Sequence, residues 1–342
     1  MINNIGDFKY LEQEYNIPFH ELFTIDLNLS GIAIDLNFSR IRFSLYLQNG
    51  KLLSFSVEND KSSFYKIKSN KLFFKNIFLF DVVDLHEDTC EIFYTRKEGK
   101  VLCFNPNNRS SCSGCRFCYQ AKSNDKQNIS DGMLKNAFEI WLQHNNLKDL
   151  SHLEQVSVVT GCFKNESIAV DYLIKLREVL LPLGFKNEIL FFGIISNIRN
   201  IERLAHIKPL QLCFTIECFE NRDYFLREKK NLQLNQIKVL MQKSIDEGIK
   251  TTFSYIVGLD ALGMFKENIL LYKDCVNSFP IFSLFQTNME RIKYRNKEAL
   301  NIEYYLQCRK YIETIFNTTN LLPNSWNNYR SLWRTYYNGK SI

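Results

Sequence analysis

From Val101 onward the sequence alternates six times between a short apolar strand pattern and an amphipathic helix pattern, an order that few folds accept. The strand patterns are Val101–Phe104, Val156–Thr160, Ile189–Ile195, Leu212–Ile216, Thr251–Val257 and Phe282–Gln286. Helical periodicity lies between or after them at Ser130–Asn145, Ser167–Leu183, Ile198–His206, Leu234–Glu247, Phe265–Asn277 and Lys297–Phe316. Ser130 stands as a cap with Asp131 in the first turn. Strands alternating with helices through short loops argue for a parallel α/β sheet or barrel. A complete eight-unit barrel takes roughly 250 residues. Six units predict a partial (β/α)6 barrel over residues 99–316. In such folds chemistry collects at the carboxyl ends of the strands.

The preceding stretch has a different texture. Residues 1 to 28 read as short helical or irregular structure. Ile32–Asn37, Arg40–Leu47 and Leu52–Val57 then alternate with period two, and Asn49-Gly50 between the last two is a hairpin signal. Phe73–Leu79 and Thr89–Tyr94 extend the pattern, which predicts an N-terminal antiparallel β domain over residues 1–98. The 342 residues are 45% hydrophobic, enough for a large core, and no run approaches the ~20 apolar residues of a spanning helix. The first residues lack the basic-then-apolar layout of a secretory signal, so the expectation is a cytoplasmic protein with no membrane partner. A net charge of +6 is scattered along the chain rather than gathered in one run, which argues against nucleic acid.

Ten cysteines are the next informative feature. Length and the missing signal argue for reduced thiols. Cys213, Cys275 and Cys308 sit in apolar or helical patterns, as buried cysteines do. Cys112, Cys115 and Cys118 are crowded into a polar loop after the first barrel strand and can converge on one metal centre. Three thiolates without a fourth fit a [4Fe–4S] cluster with one open iron, which can bind a small molecule directly. Were Cys103 to join them, the site would be a closed four-cysteine one, holding structural zinc or a complete cluster.

The segment Cys112-Ser-Gly-Cys115-Arg-Phe-Cys118-Tyr119-Gln-Ala-Lys-Ser-Asn resembles the radical S-adenosylmethionine (SAM) superfamily, and the biotin synthase and methylornithine synthase group within it. Those enzymes carry three cysteines in the loop after the first barrel strand, most often as Cys-x3-Cys-x2-Cys. Here the first gap is two residues, because Ser111 occupies the expected position. The resemblance covers roughly residues 101 to 290. It implies a [4Fe–4S] cluster on Cys112, Cys115 and Cys118, with SAM bound nearby and Tyr119 among the residues around it. Thr160 and Gly161 stand where the family's turn contacts the methionine amino group. Glu217 and Arg222, after an otherwise apolar strand, stand where an acid and nearby basic residues grip the ribose and amino-acid ends. Val257 and Gly258 stand where a strand ending in glycine flanks adenine.

The implied activity is that of an oxidoreductase-type radical enzyme: one-electron reduction of the cluster, cleavage of SAM and hydrogen abstraction by a 5′-deoxyadenosyl radical. An electron donor such as flavodoxin or ferredoxin is the implied partner. The absence of further cysteine pairs after residue 120 favours a small-molecule substrate, while the N-terminal sheet could take a peptide on an edge strand. The alternative is a non-enzymatic binding protein with a structural four-cysteine zinc or iron–sulfur site. Residues 317–342 hold Trp326, Tyr329, Arg330, Trp333, Tyr336 and Tyr337; they read either as a segment packed across the barrel mouth or as a lid.

Overall fold

The computed structural model describes residues 2, 4–89, 91–106, 114–118, 128–159, 163–286, 291–324 and 329–342. Two helices open it, α1 (Ile5–Tyr15) and α2 (Phe19–Ser30). Asn4 caps α1 by a reciprocal pair of bonds with Asp7, and Gly31, with φ of 65°, ends α2. Five strands follow: β1 (Arg40–Tyr46), β2 (Leu52–Glu58), β3 (Tyr65–Lys68), β4 (Lys71–Phe74) and β5 (Ile77–Glu87). They form an antiparallel sheet in the order β2-β1-β5-β4-β3.

Two sequence expectations need correction here. Ile32–Asn37 is not a strand; only Ile32 and Ala33 make isolated bridges, to Asn59 and Lys66, before the chain turns away. Phe73–Leu79 is not one extended run either. Lys75 and Asn76, both at positive φ, fold it into the hairpin between β4 and β5.

The second sheet has seven strands. β6 (Phe93–Arg96) runs antiparallel to β7 (Val101–Phe104) and leads into the alternating part of the chain. There follow α3 (Leu134–His144), β8 (Gln155–Val158), α4 (Glu166–Leu180), β9 (Glu188–Gly193), α5 (Ile198–Leu204) and β10 (Leu210–Glu217). A single turn, α6 (Arg222–Phe225), precedes α7 (Leu234–Asp246), β11 (Lys250–Val257), α8 (Leu262–Leu270), β12 (Ile281–Leu284) and α9 (Ile302–Phe316). β7 to β12 lie in sequence order, all parallel, with β6 at one edge and β12 at the other. This is the partial barrel, accompanied by an N-terminal antiparallel sheet. β6 joins the barrel sheet and not the antiparallel one, although Thr89–Tyr94 carries the same alternating texture as the strands before it.

The two faces of the barrel sheet differ in chemistry. Residues such as Val156, Phe191, Leu212, Phe214, Phe253, Tyr255 and Phe282 pack outward with the helices into the main core. The opposite face carries Cys103, Ser157, Leu190, Cys213, Thr215, Ser254, Ile256 and Ser283, a mixture of small apolar and hydroxyl side chains.

The chain after α9 is built into this core. Its last elements are the short hairpin strands β13 (Tyr336–Tyr337) and β14 (Lys340–Ser341), joined through Asn338 and Gly339 at positive φ. Upstream, Leu284 donates its amide to Arg330 and Leu332 donates to Phe282, so residues 330–332 run antiparallel along the free edge of β12. Trp333 is 1% exposed and packs edge-on against Phe279 and Phe282, with its indole N–H on Glu313. Glu21 of α2 is the hub of this corner. It accepts from Arg309 at 2.6 Å, from the amides of Arg334 and Thr335, and from the Thr335 hydroxyl. Trp333 leaves this seat only by opening the main core. Trp333→Ala is therefore expected to cost about 3–5 kcal/mol in urea unfolding, and truncation after Pro323 to yield insoluble protein.

Candidate functional site

Residues 114–118 dock on the loop that follows β10. The Arg116 amide donates to the Phe225 carbonyl at 2.9 Å, the Arg227 guanidinium reaches the Gly114 carbonyl, and the Arg116 side chain lies 4.1 Å over the Tyr224 ring. Gly114 takes a φ of 74°, which lets the chain turn into Cys115. Within the turn the Cys118 amide donates to the Cys115 carbonyl.

Cys115 and Cys118 are free thiols in one small apolar cluster with Cys218, Phe225, Leu226, Ile256, Leu259 and Phe285, flanked by Phe117 and Tyr294. Of these, Cys218, Ile256 and Phe285 sit at the carboxyl ends of β10, β11 and β12. Burial pushes the Cys115 thiol up to about 11, against the pull of Lys229. Cys112, Tyr119, Thr160 and Gly161 lie outside the described residues, as does Trp326. Among the described residues no three His, Cys, Asp or Glu side chains form a metal-holding group. Two soft thiols in an apolar wall, with a third three residues upstream in sequence, suit zinc or iron–sulfur chemistry and not a hard cation. Cys103 is elsewhere: it pairs across the sheet with Tyr94, and its thiol neighbours Arg96 and Arg42.

Glu217 closes β10 with a φ of 70°, a left-handed conformation that is costly for a residue with a side chain. The register with β11 shifts at this point, Thr215 facing Ser254 and Glu217 facing Tyr255, so the strand end is bulged. The residue is 8% exposed, and its carboxylate is ion-paired with Lys229. The sequence did not point to Lys229, whose only signal was its place in the basic run Arg227-Glu-Lys-Lys.

Arg222 is not the partner of Glu217. Its guanidinium donates to four carbonyls, Ile216 at 2.6 Å, Cys218 at 2.9 Å, Lys229 at 3.2 Å and Leu232 at 3.4 Å. It fastens the end of β10 to the loop that delivers Lys229. Asp260 fastens the same end to β11: it accepts from the amides of Phe219 and Glu220 and from the Tyr255 hydroxyl, and burial pushes its pKa up.

At the end of β11 the side chain on the cysteine side is Ile256, while Val257 packs outward in the main core. Gly258 has a φ of 117°, and a Cβ there would stand 2.8 Å from the Tyr305 hydroxyl, so packing alone requires the glycine. Its carbonyl accepts from Asn296.

No protein-family model and no curated protein sequence matches the chain. Among solved structures, SuiB from Streptococcus suis bound to S-adenosylmethionine aligns with a TM-score of 0.46 and 14% identity over 65% of this chain and 48% of SuiB. The FeFe-hydrogenase maturase HydG from Carboxydothermus hydrogenoformans gives 0.48 and 13% over 63% and 51%. Coproporphyrinogen III oxidase (HemN) from Escherichia coli, a radical SAM enzyme, gives 0.42 and 11% over 60% and 50%. The chain thus spans about half the length of each of these proteins.

Arg222→Gln, which keeps some donors but loses the charge and the fork, is expected to lower stability by about 1.5–3 kcal/mol in chemical denaturation. Equal stability of parent and variant would show that the four carbonyl bonds do not hold the strand end.

Proposed function

We propose that the chain is a radical SAM enzyme in which Cys112, Cys115 and Cys118 hold a [4Fe–4S] cluster whose open iron receives SAM. One observation supports this most: the cysteine segment is tied by its backbone to the loop that brings Lys229 onto a buried, left-handed Glu217. Strain and a buried charge placed together at a strand end are features of a working site more than of a packed core. When bound, the cluster and SAM supply reductive cleavage to a 5′-deoxyadenosyl radical that takes a hydrogen atom from the substrate.

The chain's own residues bind, orient and shield. Glu217, held in place by Lys229, offers its carboxylate to the hydroxyl or ammonium groups of SAM. Arg222 positions that strand end without touching the ligand. Ile256, Leu259, Phe285 and Phe117 make the apolar wall that keeps water from a reactive intermediate. Thr160, Gly161 and Tyr119 complete the SAM contacts in this reading, with the backbone of Val257 and Gly258 alongside adenine. The electron donor is a flavodoxin or ferredoxin, and the protein works in the cytoplasm.

Two experiments test the reading. Anaerobically purified protein is expected to carry about four irons and four sulfides per chain, and to lose them in Cys112→Ala, Cys115→Ala or Cys118→Ala but not in Cys103→Ala. Stoichiometric zinc without sulfide would refute it. With SAM and dithionite the parent is expected to release 5′-deoxyadenosine. Glu217→Gln, with its cluster intact, is expected to bind SAM roughly ten- to a hundredfold more weakly by equilibrium dialysis. Parent-like affinity would remove Glu217 from the site.

A further inference from the structure

β3, β4 and β5 turn one face onto the opening helices and leave the other to solvent. Tyr65, Ile67, Leu72 and Phe74 are buried, Tyr65 against Phe23 of α2 and Phe74 against Phe8 of α1. Their alternates point the other way. Lys66, Phe73 and Phe78 form one row across the three strands, and Lys68, Lys71 and Asp81 form the next. All six are exposed except Phe73, which is half-buried. Two tight turns gather this charge. Ser69 and Asn70, both at positive φ, set Lys68 directly opposite Lys71, and Lys75 and Asn76, also at positive φ, return Phe78 beside Phe73. Like charges directly opposite weaken a sheet, and these two rows set three lysines against one acid.

The same end of the sheet is apolar as well as basic. Ile77 is 50% exposed, Phe78 49% and Phe64 41%. Phe64 is tied to the hairpin by its carbonyl, which accepts from the Lys75 amide at 3.0 Å, and the Lys75 ammonium stands 4.0 Å over its ring. The Lys71 ammonium stands 5.6 Å over the Phe78 ring. Large apolar side chains exposed together and rimmed by charge mark a surface that meets a partner. The grip of this sheet on the barrel, through Arg40 of β1 and the Ser56 carbonyl of β2, lies toward its other edge.

The pattern selects the partner. Ile77, the most exposed of the three, has no π-face to stack on a base, and the rings of Phe64 and Phe78 already carry an ammonium group. A single nucleic-acid strand, which binds by stacking, is a poor fit. An apolar tip backed by lysines fits the boundary of an anionic bilayer, where apolar side chains enter between the lipids and ammonium groups meet phosphate and carboxylate headgroups.

We propose that the β3–β5 end of the N-terminal sheet docks on a membrane surface rich in anionic phospholipid. Phe64, Ile77 and Phe78 enter the bilayer boundary, and Lys66, Lys68 and Lys71 face the headgroups. The protein then lies on a membrane without crossing it; no described helix is long and apolar enough to span one. The proposal does not depend on the radical SAM reading.

The test floats full-length, anaerobically purified protein with vesicles of phosphatidylcholine alone and of phosphatidylcholine with phosphatidylserine. The parent is expected to float with the anionic vesicles and not with the neutral ones, and to be released as salt rises. Replacing both Lys66→Gln and Lys71→Gln is expected to lower the partition coefficient about tenfold or more, and replacing both Ile77→Ser and Phe78→Ser to lower it by a similar factor. Circular dichroism checks that each variant is folded; if the serine pair is not, the lysine pair decides. Flotation with neither vesicle, equal flotation with both, or an unchanged partition in the folded variants overturns the proposal. A fluorescein-labelled oligouridine is the second probe: binding to it that is lost in the lysine pair and kept in the serine pair, without flotation of the parent, overturns the proposal in favour of nucleic acid.

Discussion

The six parallel strands of this barrel do not close on themselves, and the rest of the structure answers that constraint. Two edges are left with unpaired backbone, and a face that a complete barrel would bury stays open. One edge is covered by β6, which turns back antiparallel on β7. The other is covered by residues 330–332 of the tail, and the tail is locked in turn by Trp333 and by Glu21 with Arg309. The N-terminal sheet supplies what remains: Arg40 and the Ser56 carbonyl hold Gln286 at the end of β12, and the Arg42 guanidinium lies over the Tyr94 and Tyr329 rings. Sheet, barrel and tail share one hydrophobic core for this reason.

The same openness explains where the polar chemistry sits. At the carboxyl ends of β10 and β11 the chain accepts a left-handed glutamate, a register shift and an inward-facing lysine, each of which a packed barrel would avoid. Their costs are met by Arg222 and Asp260, which bind backbone and keep the two strand ends in step. The cysteine segment is fastened to the same loop, so the geometry of the thiols and that of Glu217 are set together.

Much of the architecture could be read from residue pattern because period dictates element type: six apolar runs separated by 3.6-period stretches became six parallel strands. Errors arose where period was uninformative. Lys75-Asn76 interrupts an apolar run without glycine or proline, so the turn was invisible. Val257 and Ile256 are equally apolar, and which one faces the cysteines depends on the side of the sheet on which the barrel curls. Lys229 lies twelve residues from Glu217, and only the fold around Arg222 brings them together. For Trp333 both readings, a packed segment or a lid, stayed open because nothing local reveals that α9 and Phe279 enclose it.

The central claim is that the thiols of this loop leave one iron open to SAM beside Glu217. Electron paramagnetic resonance of the dithionite-reduced protein, with and without SAM, tests it most directly. The account predicts the signal of a reduced [4Fe–4S] cluster whose shape changes when SAM is added, with the change displaced to higher SAM concentration in Glu217→Gln. A signal indifferent to SAM, or a protein that holds zinc and gives no signal, would contradict it.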